Sequence, residues 1–386
     1  MKTEDEQGEA GVDVRVQSPQ TGESHTVALD EDMTIGALSR VVQGLREDDS
    51  SLLIYGYCSR DFAEGLADRA RVDGDEVYFP EDMLAVEALA GLRDSRLPFY
   101  FNVGALSDEL VFEFRTDRLR RVGYGTDVLQ TKRVVLGGAG LLGNEVAWGL
   151  CVCGVGELLV LDSGRVDWYN IYRQQLFGRE SVYENKAVAL GQALAKVGGI
   201  ECEAEQREVP CLASPPDRAW FGERIATLWR QIERADLVIG AFDIFSARGV
   251  LQVLARVLNK TFVSSSLDAA IGEVGVFRPD EQVCYCCGHW PGQFADGGAC
   301  TLAQFSAQRI VGAVTTECVL AELMGRGAKY NFVSFAGAYM HMESGRRRGA
   351  RGCVVCGPDS TLGGVQDADA AADWIYAWLF GEPEAS

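Results

Sequence analysis

The larger part of this chain predicts an α/β fold with a mostly parallel sheet, and three observations carry that expectation. Buried-type strand runs at Arg133–Leu136, Glu157–Leu161 and Ala235–Ala241 alternate with segments of helix composition. A glycine-rich turn, Gly138-Ala139-Gly140-Leu141-Leu142-Gly143, stands between the first strand and the helix that follows it. Acidic residues, Asp162 and Asp243, sit just past two strand ends, where open α/β sheets bind their ligands.

The whole-chain numbers fit a folded, soluble enzyme. At 386 residues and 47% hydrophobic content the chain buries a sizeable core and divides into about two or three domains. Its 56 acidic and 36 basic residues leave a formal net charge of -20, which repels phosphate backbones and argues against nucleic-acid or anionic-membrane partners. The acidic start MKTEDEQGEAGVD has neither the positive flank nor the apolar core of a secretory signal, so the 12 cysteines are read as thiols of a reducing, cytoplasmic compartment. No apolar run reaches the length of about 18 residues that a membrane span needs.

Four segments are expected. Residues 1–11 are polar and acidic and read as a disordered tail. Residues 12–80 read as a small α+β domain. Val12, Val14 and Val16 alternate, Ser18, Pro19 and Gly22 signal a turn, and His25 to Leu29 alternate again. Ile35, Leu38, Val41, Val42 and Leu45 then share a helical face, followed by strand-like runs at Leu52–Tyr55 and Val77–Phe79. The order strand, strand, helix, strand, strand looks like a β-grasp, ubiquitin-like domain; a generic α+β recognition domain is the plainer alternative. Residues 81–117 read as a connector with a helix at Met83–Leu92 and a strand at Phe99–Val103. Residues 118–386 are the α/β unit.

The glycine turn lets backbone N–H groups close on a phosphate at a helix N-terminus, and Asp162 stands where a ribose hydroxyl is bound. Alone, those features point to a nicotinamide or flavin dehydrogenase. The next stretch, DWYNIYRQQLFGRESVYENKA, points elsewhere, because Asn170, Arg173, Gln174 and Lys186 form a polar and cationic set with no evident use in a dinucleotide site. When a carboxylate attacks an α-phosphate, charge grows on the departing pyrophosphate, and placed Arg and Lys groups stabilise it. Given a triphosphate, Asp243 is read as the Mg²⁺ ligand; in isolation it reads as a helix cap.

Cys284-Tyr285-Cys286-Cys287 and Cys353-Val354-Val355-Cys356 each contain C-x2-C, so Cys284, Cys287, Cys353 and Cys356 are expected to form a structural Zn²⁺ site, with Cys286 a bystander. Four thiolates leave no position for a metal-bound water. Cys300 follows a Gly297-Gly298-Ala299 approach and precedes a helix from about Ser306 to Met324, the setting of an accessible, reactive thiol. Cys318, Cys151 and Cys153 read as packed and inert. The three histidines, His25, His289 and His341, form no defensible cluster.

Together these motifs resemble the ThiF/MoeB superfamily of ubiquitin-activating-type enzymes from about Arg118 to the C-terminus. The resemblance rests on GGAGLLG, on Asp162 followed by Asn170, Arg173, Gln174 and Lys186, on Asp243, on both cysteine pairs and on Cys300. It implies a Rossmann-like adenylating domain, usually homodimeric, that uses ATP and Mg²⁺ to adenylate the C-terminal glycine of a ubiquitin-like protein. The acyl group would then pass to Cys300 as a thioester, ahead of a conjugating enzyme. The autophagy activating-enzyme branch is similar in its cysteine segment, ACTLAQFSAQRIVGA, and in tolerating Gly164, Ile244 and Leu141 where other members carry an acid, Asn and Gly. One of Arg115, Arg118, Arg120 and Arg121 would reach the partner subunit's pocket. Two alternatives remain: adenylation of a sulfur carrier or peptide without a thioester, and a catalytically silent nucleotide-binding scaffold.

Overall fold

A computed structural model of the chain describes residues 12–18, 22–46, 52–58, 62, 66, 69–73, 76–92, 99–103, 116, 118–287, 303–327 and 329–381. It divides into two compact units, residues 1–114 and 115–386.

In the first unit β1 (Val12–Gln17) and β2 (Ser24–Leu29) form the expected hairpin, pairing Val12 with Leu29 and Gln17 with Ser24. The chain then enters α1 (Ile35–Arg46), where the Thr34 hydroxyl accepts the Ala37 N–H at 3.2 Å and so satisfies one of the helix's free donors. Ile35, Leu38 and Val42 are buried along its inner face. β3 (Leu52–Tyr57), β4 (Arg71–Asp73), β5 (Glu76–Tyr78), α2 (Ala85–Gly91) and β6 (Phe99–Val103) complete the unit. The sheet runs β2-β1-β6-β3-β5-β4, with β6 parallel to β1 and antiparallel to β3. The segment read as a connector therefore supplies a central strand of this sheet, and Phe99 is wholly buried. Its partners lie far away in the chain, so no local turn or alternation announced the pairing.

The second unit holds an 8-stranded sheet. After a single helical turn at Thr126–Leu129 the order is β7 (Arg133–Gly137), α3 (Leu141–Val152), β8 (Glu157–Leu161), α4 (Lys186–Val197), β9 (Glu201–Glu205), α5 (Arg218–Glu233), β10 (Leu237–Gly240) and α6 (Phe245–Val257). Then come β11 (Thr261–Asp268), β12 (Ile271–Phe277), α7 (Phe305–Leu323), β13 (Phe332–Ala336), β14 (His341–Gly345) and α8 (Ala368–Phe380).

Strand order across the sheet is β14-β13-β12-β11-β10-β7-β8-β9. β11 through β9 in that list are parallel, and β12, β13 and β14 extend the sheet antiparallel. The chain builds outward from β7 through β8 to β9, then crosses to the other side of β7 for β10 and β11. That reversal opens a crevice at the carboxyl ends of β7 and β10, where the loops leave in opposite directions.

Both faces of the parallel strands are covered, which is why they read as continuous apolar runs. On β7, Val134 and Leu136 pack with side chains of α3, α4 and α7, while Val135 packs on the opposite face with α5, α6 and α8. Each such buried aliphatic side chain contributes about 1.5–3 kcal/mol. No helix among the described residues is long and apolar enough to cross a membrane.

Candidate active site

The glycine turn is shaped by two close approaches. Gly138 has φ +100°, a left-handed conformation that strains any L side chain, and its N–H donates to the Leu161 carbonyl at the end of β8 at 2.9 Å. Gly143, in the first turn of α3, faces the Gly138 carbonyl so closely that a Cβ there would lie 1.9 Å from the oxygen. Around Gly140, by contrast, a Cβ would meet nothing within 4 Å, so the middle of the turn faces open space. Asn144 fixes the turn from behind: its Nδ2 donates to the Ala139 and Gly140 carbonyls at 3.0 and 3.1 Å, and its Oδ1 accepts the Leu176 N–H at 3.1 Å.

Asp162 follows β8 and is held by the backbone. Its Oδ2 accepts the Ala139 N–H and its Oδ1 the Gly164 N–H, both at 2.7 Å. A carboxylate has about four lone-pair sites, so each oxygen retains capacity for a further hydroxyl donor. Lys186 opens α4 beside it. Asn185 caps that helix, its Oδ1 accepting the Ala187 and Val188 N–H groups, and its Nδ2 donates to the Asp162 carbonyl at 2.9 Å. The Lys186 Nζ would lie 3.7 Å from a Cβ at Gly164, so the glycine leaves the ammonium clear access. Among the described residues Lys186 makes no ion pair.

These elements surround a cavity of about 810 Å³ at the sheet's carboxyl edge, well within the range of ligand pockets. Gly138, Gly140, Asp162, Gln174, Lys186 and Asp243 all line it. Gln174 is fully buried, and neither its Oε1 nor its Nε2 has a partner among the described residues. A buried amide left unpaired costs about 1–3 kcal/mol per group, so this one is set for a polar ligand.

Three other expected residues stand behind the cavity and do not line it. Gly143 packs under the turn. Asn170 is buried and shapes the arm, its Oδ1 accepting the Asp167 N–H at 2.9 Å. The Arg173 guanidinium lies 5.7 Å from the Tyr169 ring centre, and its carbonyl accepts from Gln308 Nε2 at 2.6 Å. Gln308 also donates to Glu145 Oε1 at 2.6 Å, and Arg309 pairs with Glu145 Oε2 at 2.9 Å. Glu145 thereby ties the Asn170–Gln175 arm to the first turn of α7. Nothing in the sequence around Glu145 marks this role, and sequence reading does not single it out. Nor does it find the cavity residues Arg207, Glu208, Arg248, Ser265, Ser266, Asp268 and Glu273, which carry no motif and meet only through strand order.

The four expected cysteines converge. The Sγ atoms of Cys284, Cys287, Cys353 and Cys356 all lie within 4.8 Å of one another, with separations of 3.9 Å for Cys284–Cys287, 3.6 Å for Cys284–Cys353 and 3.2 Å for Cys287–Cys356. A tetrahedron with metal–sulfur bonds of about 2.3 Å has edges of about 3.8 Å, so four soft donors stand at the spacing zinc requires. Hydrogen bonds from the neighbouring thiols, Cys284 first, pull the Cys287 thiol well below the usual range, toward the thiolate that binds metal. Elsewhere burial pushes Cys153 up to about 11, Cys202 up to about 12 and Cys318 up to about 11, which keeps them protonated and inert. Cys300, His289 and Arg115 lie outside the described residues. Of the remaining arginines in the cluster, Arg118 and Arg121 are exposed and Arg120 donates to Thr126 Oγ1 at 2.7 Å.

Comparison with known proteins agrees with this architecture. The model of the ThiF family matches residues 117–350. The chain is 31% identical over 149 residues to the ubiquitin-like modifier-activating enzyme ATG7 of Lodderomyces elongisporus, covering 36% of this chain and 22% of that one. It is 27% identical over 254 residues to the adenylyltransferase and sulfurtransferase MOCS3 of Mus musculus, covering 63% of this chain and 51% of MOCS3. The chain thus spans about half or less of these relatives' length. Among solved structures, E. coli MccB with ATP superposes with a TM-score of 0.52 at 19% identity, covering 63% of this chain and 74% of that one, a likeness of fold.

Proposed function

The chain belongs to the ThiF family, and we propose that it activates the C-terminal carboxylate of a ubiquitin-like protein by adenylation and then captures the acyl group on Cys300. The observation that carries the reading is the Lys186 ammonium and the Gln174 amide, both without a partner among the described residues, facing the same cavity as the backbone-held Asp162 and the glycine turn.

In this reading the nucleotide lies along the order of strand ends. Asp162 at β8 accepts the ribose hydroxyls, and the N–H groups at the start of α3 take the phosphates over β7. Lys186, which lines the cavity, stabilises the charge that grows on the departing pyrophosphate, and Arg173 joins it by turning in from behind the cavity when the nucleotide is bound. Asp243, exposed past β10, holds Mg²⁺, which neutralises phosphate charge when bound. The carrier's carboxylate oxygen attacks the α-phosphorus, the bond to the bridging oxygen breaks, and pyrophosphate leaves with the electron pair. The Cys300 thiolate then attacks the acyl carbon and AMP departs. The four-cysteine cluster is a structural zinc site. The first unit is a β-grasp domain, a reading supported by its β2-β1-β6-β3 order with β1 and β6 parallel. A homodimer and a conjugating enzyme downstream complete the proposal.

A second reading keeps adenylation and omits the thioester. It is favoured by the match to MOCS3, named an adenylyltransferase and sulfurtransferase, which spans 63% of this chain against 36% for the ATG7 match.

The test is exchange of labelled pyrophosphate into ATP in the presence of candidate ubiquitin-like proteins. Wild type exchanges, and Lys186→Ala loses activity by about a hundredfold or more, the scale of removing one transition-state donor. Cys300→Ala keeps exchange but forms no reductant-sensitive adduct by mass spectrometry. An adduct that survives Cys300→Ala removes Cys300 from the mechanism, a wild type that exchanges but forms no adduct removes the thioester step, and a wild type that never exchanges removes adenylation.

A further inference from the structure

The cavity contains a cation that neither the ribose nor the phosphate positions use. Strand ends succeed one another across it in the order β8, β7, β10, β11, spaced about 4.8 Å apart. Lys186 enters from the β8 side and Arg207 from just past β9. Arg248, on α6, enters from the β10 side. It is the only cation of the described lining there, where Asp243, Asp268 and Glu273 are acidic.

Arg248 is built into place. Only 9% of it is exposed, and its Nε is buried with no hydrogen-bond partner. Its stem crosses the end of β10, where a Cβ on Gly240 would come within 3.1 Å of Arg248 Cγ. Its guanidinium carbon stands 5.0 Å from the ring centre of Tyr285, a residue inside the first cysteine pair. The Tyr285 N–H in turn donates to Gln252 Oε1 at 3.1 Å, one turn further along α6. None of the Arg248 guanidinium nitrogens has an acceptor among the described residues. An arginine nine-tenths buried whose guanidinium has no anion among the described residues is energetically incomplete.

We propose that Arg248 binds the carboxylate of the acyl substrate, with Tyr285 as the positioning residue beneath it; this rests on the adenylation reading above. Laid with its ribose at β8 and its phosphates over β7, a nucleotide presents its α-phosphate toward β10, so the attacking group arrives on the Arg248 side. Glu273 is already paired with Arg347, but Asp243 and Asp268 would repel a carboxylate, and Arg248 offsets them while its planar fork fixes both oxygens. The stacked Tyr285 face holds the fork in plane and ties it to the four-cysteine cluster.

The experiment is calorimetric titration of the full chain with a synthetic hexapeptide ending in glycylglycine, as free acid and as C-terminal amide, with and without the non-hydrolysable analogue AMPCPP. The wild type binds the acid at least about tenfold more tightly than the amide, the scale of one charged hydrogen bond. Arg248→Met erases that preference while AMPCPP affinity changes by less than about twofold. Tyr285→Phe keeps the preference and Tyr285→Leu weakens it, at unchanged melting temperature. A wild type blind to acid against amide overturns the assignment, as does an Arg248→Met whose AMPCPP affinity falls with its peptide affinity. Failure of AMPCPP to bind the wild type strikes the adenylation reading instead, since the acid preference is also read without nucleotide.

Discussion

At the scale of single residues, Gly140 and Gly143 show how one motif carries two different constraints. A Cβ at Gly143 would strike the Gly138 carbonyl at 1.9 Å, and a backbone oxygen cannot swing aside as a side chain can. A Cβ at Gly140 would meet nothing within 4 Å, because it projects where the ligand is expected. Gly143→Ala should therefore lower both the melting temperature and nucleotide affinity, the latter by about tenfold or more. Gly140→Ala should leave the melting temperature within about 1–2 °C of wild type and weaken nucleotide binding alone. Differential scanning fluorimetry and titration with MgATP separate the two; equal melting temperatures for both variants would contradict the geometry. The same contrast runs through the cysteines: burial holds Cys153, Cys202 and Cys318 protonated, while mutual contact pulls Cys287 toward thiolate.

Between elements, what could be read from sequence followed how local each interaction is. The turn from β7 to α3 and the position of Asp162 after β8 were legible, because each lies within one strand–turn–helix step. Arg207, Glu208, Ser265 and Glu273 were not, since they reach one cavity only after four strands have been ordered. β6 was seen as a strand but not as a sheet centre, for the same reason. The lock between α3 and α7 is another such long-range device. Gln308 divides its amide between Glu145 Oε1 and the Arg173 carbonyl, 2.6 Å to each, at a site only 2% exposed. Gln308→Ala should cost about 1–3 kcal/mol in urea denaturation by leaving a buried carboxylate short of a donor. It should also reduce pyrophosphate exchange, because the arm that carries Gln174 into the cavity loses its anchor at the Arg173 carbonyl. Gln308→Glu should be worse on both counts, as it sets a second carboxylate against Glu145. A Gln308→Ala protein with normal stability would show that Arg309 and Gln175 satisfy Glu145 without it.

At the scale of the whole molecule, the four cysteines join places far apart in the chain. Cys284 meets Cys353, and Cys287 meets Cys356, each pair 69 residues apart. The segment between them carries α7, β13 and β14, that is, the helix tied to the Asn170–Gln175 arm and the antiparallel end of the sheet. Closing a loop of that length with one cross-link removes on the order of 4 kcal/mol of unfolded-state entropy in the chain-entropy treatment. For a unit of this size that corresponds to a fall in melting temperature on the order of 10 °C when the metal is withdrawn. A strong chelator should release about one zinc ion per chain and lower the melting temperature by that amount, and Cys353→Ser should reproduce the loss without chelator. Because Tyr285 sits within the first cysteine pair and under Arg248, metal withdrawal should weaken the acid-over-amide preference before the sheet unfolds. A metal-free protein with an unchanged melting temperature would mean that the apolar cluster around Cys284, Cys286 and Cys356 holds this end of the fold without the ion.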